Sequence, residues 1–287
     1  MAQAVRALTK RIESIGKTRQ ITRAMKLVAA SKMRRAGERS TQARVYGARI
    51  KAMLEGLAPY APPGHPLFES RLPRAVKILL VTGDRGFCGA FNQNVIRMAE
   101  TLRKEREAMG QKVVFDLVGR KGVEYYKRRP AAQGRRVTGA QGKNLAAAAL
   151  ELARGLMDEF ERKEFDEVLV VYTCFVSMAR QTPASERLLP ASRPEGGEAA
   201  GMPPLFEPAP GAIFEALVPR AVAVQVQNRM AESEASEHAA RMAAMESATK
   251  NASELMSHLT LVRNKMRQAA ITSEIVEIVS AAEALNE

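Results

Sequence analysis

The 287-residue chain has no tryptophan, and phenylalanine and tyrosine together make up only 5% of it. An aromatic platform for stacking bases or sugars is therefore poorly provided for. Cysteine is scarce as well: Cys88 and Cys174 stand alone and far apart. That excludes a disulfide framework and a zinc site of the paired-cysteine kind, and it fits a reducing compartment. Histidine occurs three times, with His65 in a proline-rich stretch and His238 and His258 on the last helical stretch. No triad, metal cluster or carboxylate pair of persuasive spacing accompanies them. Long apolar runs are missing too. The longest, Val168 to Val171 continued by "YTCFVSMA", falls well short of the roughly 18 to 20 residues of a membrane span.

What the first part of the chain lacks is acid. Residues 1–57 carry 14 basic and 3 acidic side chains, a net +11, out of +13 for the whole molecule; residues 217–287 carry 7 and 9, a net −2. A stripe of charge on one segment points to an acidic partner surface, to nucleic acid or to anionic lipid. An Arg-rich, acid-poor start is also how a mitochondrial transit peptide reads. The helical pattern here runs far beyond the length of such a peptide.

That pattern is set by Val5, Leu8, Ile12 and Ile15 at three- and four-residue steps, with Ile21, Met25 and Val28 resuming it after a break around Gly16 and Ala29, Met33 and Ala36 continuing a neighbouring stripe. No proline precedes Pro59, so one helix can occupy residues 1–57 and extend for about 80 Å at 1.5 Å per residue. A five-proline stretch makes residues 58–74 a linker. Residues 75–190 then alternate apolar strands ("RAVKILLVTGD", "KVVFDLVG", "FDEVLVVYTCFV") with helical patterns ("GAFNQNVIRMAETLRKEREAMG", "RKGVEYYKRR", "NLAAAALELARGLMDEFERKE"). This is the signature of a Rossmann-like α/β domain with a mostly parallel sheet covered on both faces. Six prolines and four glycines mark residues 191–211 and their edges as a second linker.

Residues 212–287 are helical in pattern again, with Pro219 predicting a kink or a start near it. Leu255, Leu259, Val262, Met266 and Ala269 step four, three, four, three, the rhythm of a coiled-coil seam; Ile271, Ile275, Ile278, Ala282 and Leu285 form a second stripe on a rotated face. A tip with two apolar stripes must be enclosed on more than one side. The first helix is the only other one of length comparable to the last, so an antiparallel coiled coil of the two termini is predicted.

The middle holds one motif that invites a chemical reading. "TGDRGFCGAFN" (Thr82 to Asn92) places three glycines in a strand-to-helix turn, where phosphate-cradling loops sit. Its spacing matches neither the dinucleotide fingerprint nor a Walker loop, and Asp84 and Arg85 beside Cys88 have no nearby histidine. A Gly-rich turn of purely architectural use fits better. No catalytic, cofactor-binding or metal site is expected, and a chain of this size without one reads as a structural or coupling component.

Three blocks, in the right order and spanning essentially the whole chain, carry a resemblance: "IGKTRQITRAMKLVAASKMRRA", "TGDRGFCGAFN", and "SEHAARMAAMESATKNASEL" followed by "NKMRQAAITSEIVEIVSAAEAL". Together they resemble the gamma subunit of the F-type rotary ATP synthase. The resemblance implies a non-catalytic rotor shaft inside a ring of three alpha and three beta subunits, with a foot that meets the epsilon subunit and the c-subunit ring and binds no nucleotide. It implies contact with the beta subunits at Met25, Arg267 and Gln268, and an apolar sleeve around Ile271, Ile275, Ile278 and Leu285. No cofactor, nucleic acid or membrane span is implied. Two departures from the family pattern are an alanine, Ala281, where glycine is usual, and the absence of the cysteine pair that chloroplast relatives insert for redox control. The missing insertion and transit peptide favour a bacterial chain peripheral to the cytoplasmic face of the cell membrane. The alternative, a basic nucleic-acid-binding protein, accounts for the +11 but leaves the doubly apolar tip unexplained; strongly salt-dependent DNA binding would mark it.

Overall fold

The computed structural model describes residues 2–60, 64–129, 131–192 and 207–284. Two helices dominate: α1 spans Ala2–Leu57 and α5 spans Pro210–Ala284. The chain forms two compact units, one of Met1–Val28 with Met242–Glu287 and one of Ala29–Arg241.

In the first unit the two helices pair antiparallel. Thr249 Oγ1 donates to Thr22 Oγ1 at 2.8 Å, Lys26 Nζ meets Glu246 Oε1 at 2.6 Å, and Gly16 turns its bare side to Met256. The higher the residue on α1, the lower its partner on α5. On α1 the covered positions in this unit are Val5, Leu8, Thr9, Ile12, Ile15, Gly16, Thr22, Met25 and Lys26; on α5 they include Met242, Met245, Thr249, Ala252, Met256, Leu259, Arg263 and Met266. The α5 positions alternate three- and four-residue steps, as a seam requires. Two details differ from the reading of the sequence. Ile21 and Val28 are 59% and 56% exposed, while small and polar Thr22 is buried. On α5 Leu259, Val262 and Met266 are partly covered, whereas Leu255 is 42% exposed and Ala269 lies open. A search for large apolar residues overlooks a seam that closes on Thr, Ala and Met.

The second unit contains the sheet. Strands β1 (Ala75–Val81), β2 (Lys112–Val118), β3 (Ala132–Val137), β4 (Glu167–Phe175) and β5 (Gln181–Leu189) lie in the order β3-β2-β1-β4-β5. All pairs are parallel except β4 with β5. Helices α2 (Phe91–Ala108), α3 (Arg120–Tyr126) and α4 (Leu145–Glu161) connect them. Because successive side chains alternate faces, β1 feeds two cores. Val76, Ile78 and Leu80 join Val95, Ala99, Phe115 and Tyr126 on one face, while Leu79 and Val81 join α4, Ile50, Leu54 and Leu57 of α1 and Phe214, Val218 and Val222 of α5 on the other. A strand buried on both faces has no polar alternation to show, so its continuous apolar run was legible. β3 and β5 were not. They are the sheet edges, with mixed "AQGRRV" and "QTPASERLL" sequences that carry no apolar run.

In this unit α1 and α5 also touch closely, since a Cβ on Gly47 would stand 2.6 Å from Asn228 Nδ2 and 3.3 Å from Val224. Pro219 is neither the start of α5 nor near its end. The helix begins at Pro210 and passes through it, leaving the carbonyl of exposed Glu215 to solvent.

Candidate functional site

In an open parallel sheet, ligands bind in the crevice beyond the strand ends where the chain order reverses. Here that point lies at β1, flanked by β2 and β4, and "TGDRGFCGAFN" leaves β1 into it. The loop is tied down by its own polar groups. Thr82 Oγ1 donates to the Val118 carbonyl at 2.8 Å and accepts from Gly122 N at 2.9 Å; Gly83 N donates to Asn92 Oδ1; Asp84 accepts from the amides of Arg120 and Gly139. These bonds account for Thr82, Asp84 and Asn92 without a phosphate.

Carboxylates from α5 occupy the crevice. Met230 to Ala239 are buried on every side of the helix, although this stretch includes Glu232, Glu234, Glu237 and His238, with Arg241 just beyond. Each of these polar groups has a partner, as burial demands. Glu237, 2% exposed, accepts from Gln141 Nε2 at 2.6 Å and pairs with Arg241 at 2.5 Å. Its carboxylate stands where Gly83 has no side chain: a Cβ there would lie 2.7 Å from it. Arg241 in turn donates to the Gly86 carbonyl and lies 3.1 Å from His238 Nδ1. Glu234 pairs with Arg39 of α1 at 2.9 Å and accepts from Gly142 N. Glu232 accepts from Cys174 Sγ and from Phe175 N, and Ser236 Oγ donates to the Thr173 carbonyl.

The electrostatics follow from this packing. Burial alone would push Glu234 up, but the His238 imidazole 3.7 Å away, the charge of Arg39 and the Gly142 amide outweigh it and hold the carboxyl below its ordinary value. Burial, reinforced by the Glu237 carboxylate, pushes the Cys88 thiol up, and burial with a hydrogen bond to Glu232 does the same to Cys174. Thiols raised in this way stay protonated and are poor nucleophiles.

A second buried charge cluster lies on the same face of the sheet, nearer the start of β1. Lys77 Nζ, 3% exposed, meets Glu159 at 2.5 Å and Asp116 at 3.4 Å, and Arg135 closes the ring to Asp116 at 3.0 Å and Glu159 at 2.6 Å. Two cations and two anions leave no net charge to attract a ligand.

Neither cluster was legible as such in the sequence. The signal for the first was a helix segment, "AESEASEHAAR", in which every residue between the charges is Ala or Ser. Only side chains that short let neighbours close in on all faces. For the second it was one charge inside each of two apolar strands, Lys77 in β1 and Asp116 in β2.

The residues expected to meet partners lie in the other unit. Met25 is half-buried beside Lys26, whereas Arg267 and Gln268 are exposed on α5. The helix pairing sets Lys26 against Glu246, so Met25 and the Arg267–Gln268 pair stand about 30 Å apart along the helices and form two separate patches. Ile271, Ile275 and Ile278 are 49%, 55% and 68% exposed. Leu285 lies outside the described residues.

Comparison with known proteins agrees with this architecture. A family model described as ATP synthase matches residues 4–285. The ATP synthase gamma chain of Moorella thermoacetica is 41% identical over 98% of this chain and 99% of its own, and that of Pelotomaculum thermopropionicum is 41% identical with the same coverage. Among solved structures, a chain of the Euglena gracilis mitochondrial ATP synthase (OSCP, F1 and c-ring, rotational state 3) superposes with a TM-score of 0.69 at 19% identity, covering 99% of this chain and 95% of that one. A chain of the Tetrahymena thermophila mitochondrial ATP synthase central stalk and c-ring gives 0.61 at 24% identity, covering 79% and 99%.

With its ligand crevice filled by its own last helix and relatives of this kind, the chain is a non-catalytic subunit of an ATP synthase. The chain belongs to the ATP synthase gamma chain family and is the central stalk of an F-type ATP synthase.

Proposed function

We propose that this stalk couples ion flow to nucleotide chemistry by touching its neighbours through three surfaces. The α/β unit meets the epsilon subunit and the c-subunit ring and takes up their rotation. Met25 and the Arg267–Gln268 pair face the three beta subunits in turn, within the ring of three alpha and three beta subunits. The apolar end of α5, with Ile271, Ile275 and Ile278, turns inside a sleeve of those subunits, and Leu285 belongs to the same stripe. The whole sits peripherally on the cytoplasmic face of a bacterial membrane. No helix among the described residues is long and apolar enough to cross it. The domain division of residues 1–57, 58–74, 75–190, 191–211 and 212–287 goes with this reading, the two helical arms acting on the ring and the middle on the foot.

The observation that carries the reading is the exposure of Ile271, Ile275, Val276, Ile278 and Val279, each about half or more open to solvent. Exposed apolar side chains in a contiguous row mark a surface that another protein covers, and apolar contact without direction does not favour one angle over another. The charges suit rotation for a related reason. An exposed ion pair is worth about 0 to 1 kcal/mol, so a basic face can let go of one carboxylate and find the next.

The test is Arg267→Ala combined with Gln268→Ala in reconstituted vesicles. The chain is expected to assemble and the complex to hydrolyse ATP, with less ion pumping per ATP hydrolysed. Copurification of the chain with the alpha, beta and epsilon subunits from washed membranes tests the partners. Normal pumping per ATP in the double variant would remove those two residues from the coupling surface.

A further inference from the structure

A stalk must not slip inside its own foot. Around residues 230–239 the uncharged side chains of α5 include Ala231, Ser233, Ala235 and Ala239, all buried, and these are too short to interlock as knobs in holes. A helix held only by such contacts has little to fix its angle about its own axis, because apolar burial is non-directional. The directional contacts are the polar ones, and they come from four parts of the chain. Arg39 of α1 holds Glu234; the turn before α4 holds Glu234 through Gly142 and Glu237 through Gln141; the loop after β1 holds Arg241 through the Gly86 carbonyl; the end of β4 holds Ser236 through Thr173 and Glu232 through Phe175. At 100° per residue these side chains spread over about 200° of the helix circumference.

We propose that Glu237 is the positioning residue of an angular lock: seated in the space left by Gly83 and bonded to Gln141 and Arg241, it fixes the rotation of α5 about its axis within the α/β unit, so that turning this unit turns the helix without slip. Charge-assisted bonds with set geometry give this specificity, whereas an apolar contact of equal strength would not. Gly83 is explained by the same arrangement. The glycine of a loop that resembles a phosphate cradle makes room for a carboxylate of the chain itself.

The lock rests on the stalk role but not on Met25, Arg267 or Gln268, so normal coupling in the Arg267→Ala/Gln268→Ala variant leaves it standing. It is tested in the assembled synthase in vesicles with Glu237→Gln, Gly83→Ala and the milder Gln141→Ala, measuring ATP hydrolysis, ion pumping per ATP and thermal midpoint. Asp116→Asn, in the closed charge ring nearer the start of β1, serves as the control for general destabilisation. Glu237→Gln and Gly83→Ala are expected to lower pumping per ATP by about threefold or more, as loss of a charge-assisted bond allows, with hydrolysis retained; Gln141→Ala falls between them and the unaltered chain. Asp116→Asn is expected to lower the thermal midpoint and keep the pumping ratio. Two results would overturn the lock: an unchanged ratio in Glu237→Gln or, should that variant fail to assemble, in Gln141→Ala; or an equal loss of ratio in Asp116→Asn at an equal thermal midpoint.

Discussion

Individual carboxylates set how this molecule responds to acid. Glu234 is buried, yet it is held below the ordinary glutamate value because its partners, His238, Arg39 and the Gly142 amide, stabilise the charged form more than burial destabilises it. The folded-state pKa therefore lies below that of the unfolded chain. Its contribution to stability is complete above about pH 4.3, the ordinary glutamate value, and disappears as the pH falls through the lowered one. Glu234→Gln is expected to be less stable than the unaltered chain at neutral pH and to lose the difference as the solution is acidified, read from thermal midpoints across pH 3 to 7. A constant difference over that range would show that the carboxylate charge is not what stabilises. The thiols of Cys88 and Cys174 belong to the same scale, since both are pushed toward the neutral form by burial first and by a glutamate second. The sequence showed these residues but not their pairing. Glu234 and Arg39 are 195 positions apart, and no local pattern links them.

At the scale of elements, the seam between α1 and α5 decides which side chains matter. Leu259 lies in it partly covered, while Leu255, one turn earlier and equally apolar, is 42% exposed. Leu259→Lys is expected to destabilise by about 1–3 kcal/mol, since it carries a charge into the seam, and Leu255→Lys by about 0.5 kcal/mol or less. Thermal unfolding of the two variants side by side decides between this register and one in which both residues face α1. The long helices themselves were legible because nothing interrupts them: no proline falls within residues 1–57, and α1 ends where the first proline cluster begins. The three buried strands were legible for the opposite reason, their unbroken apolar content. The edges β3 and β5 were hidden, because a strand with one neighbour and one open side has no compositional demand placed on it beyond avoiding further pairing.

For the molecule as a whole, charge and exposed apolar surface describe what it is built to meet. A net +11 is carried on residues 1–57, and Ile271, Ile275 and Ile278 stand open on α5. Ile275→Ser with Ile278→Ser is expected to leave the thermal midpoint of the chain unmoved within the equivalent of about 0.5 kcal/mol, since these side chains bury little within it. The same pair should reduce its recovery in complex with the alpha and beta subunits. A loss of chain stability instead would mean that the stripe packs inside the molecule.

The sequence by itself determined the helical arms, the three central strands, the charge asymmetry and, through three long motifs, the family, because each of these is written in local composition or in residues close along the chain. Only the tertiary structure decided that the loop after β1 cradles Glu237, that a stretch of α5 rich in glutamate is buried, and that the coiled-coil seam closes on Thr22, Thr249 and Ala252. Those outcomes depend on which distant segment supplies the partner for each buried charge, and on how closely small side chains let two backbones approach. Neither quantity has a signature within a single stretch of chain.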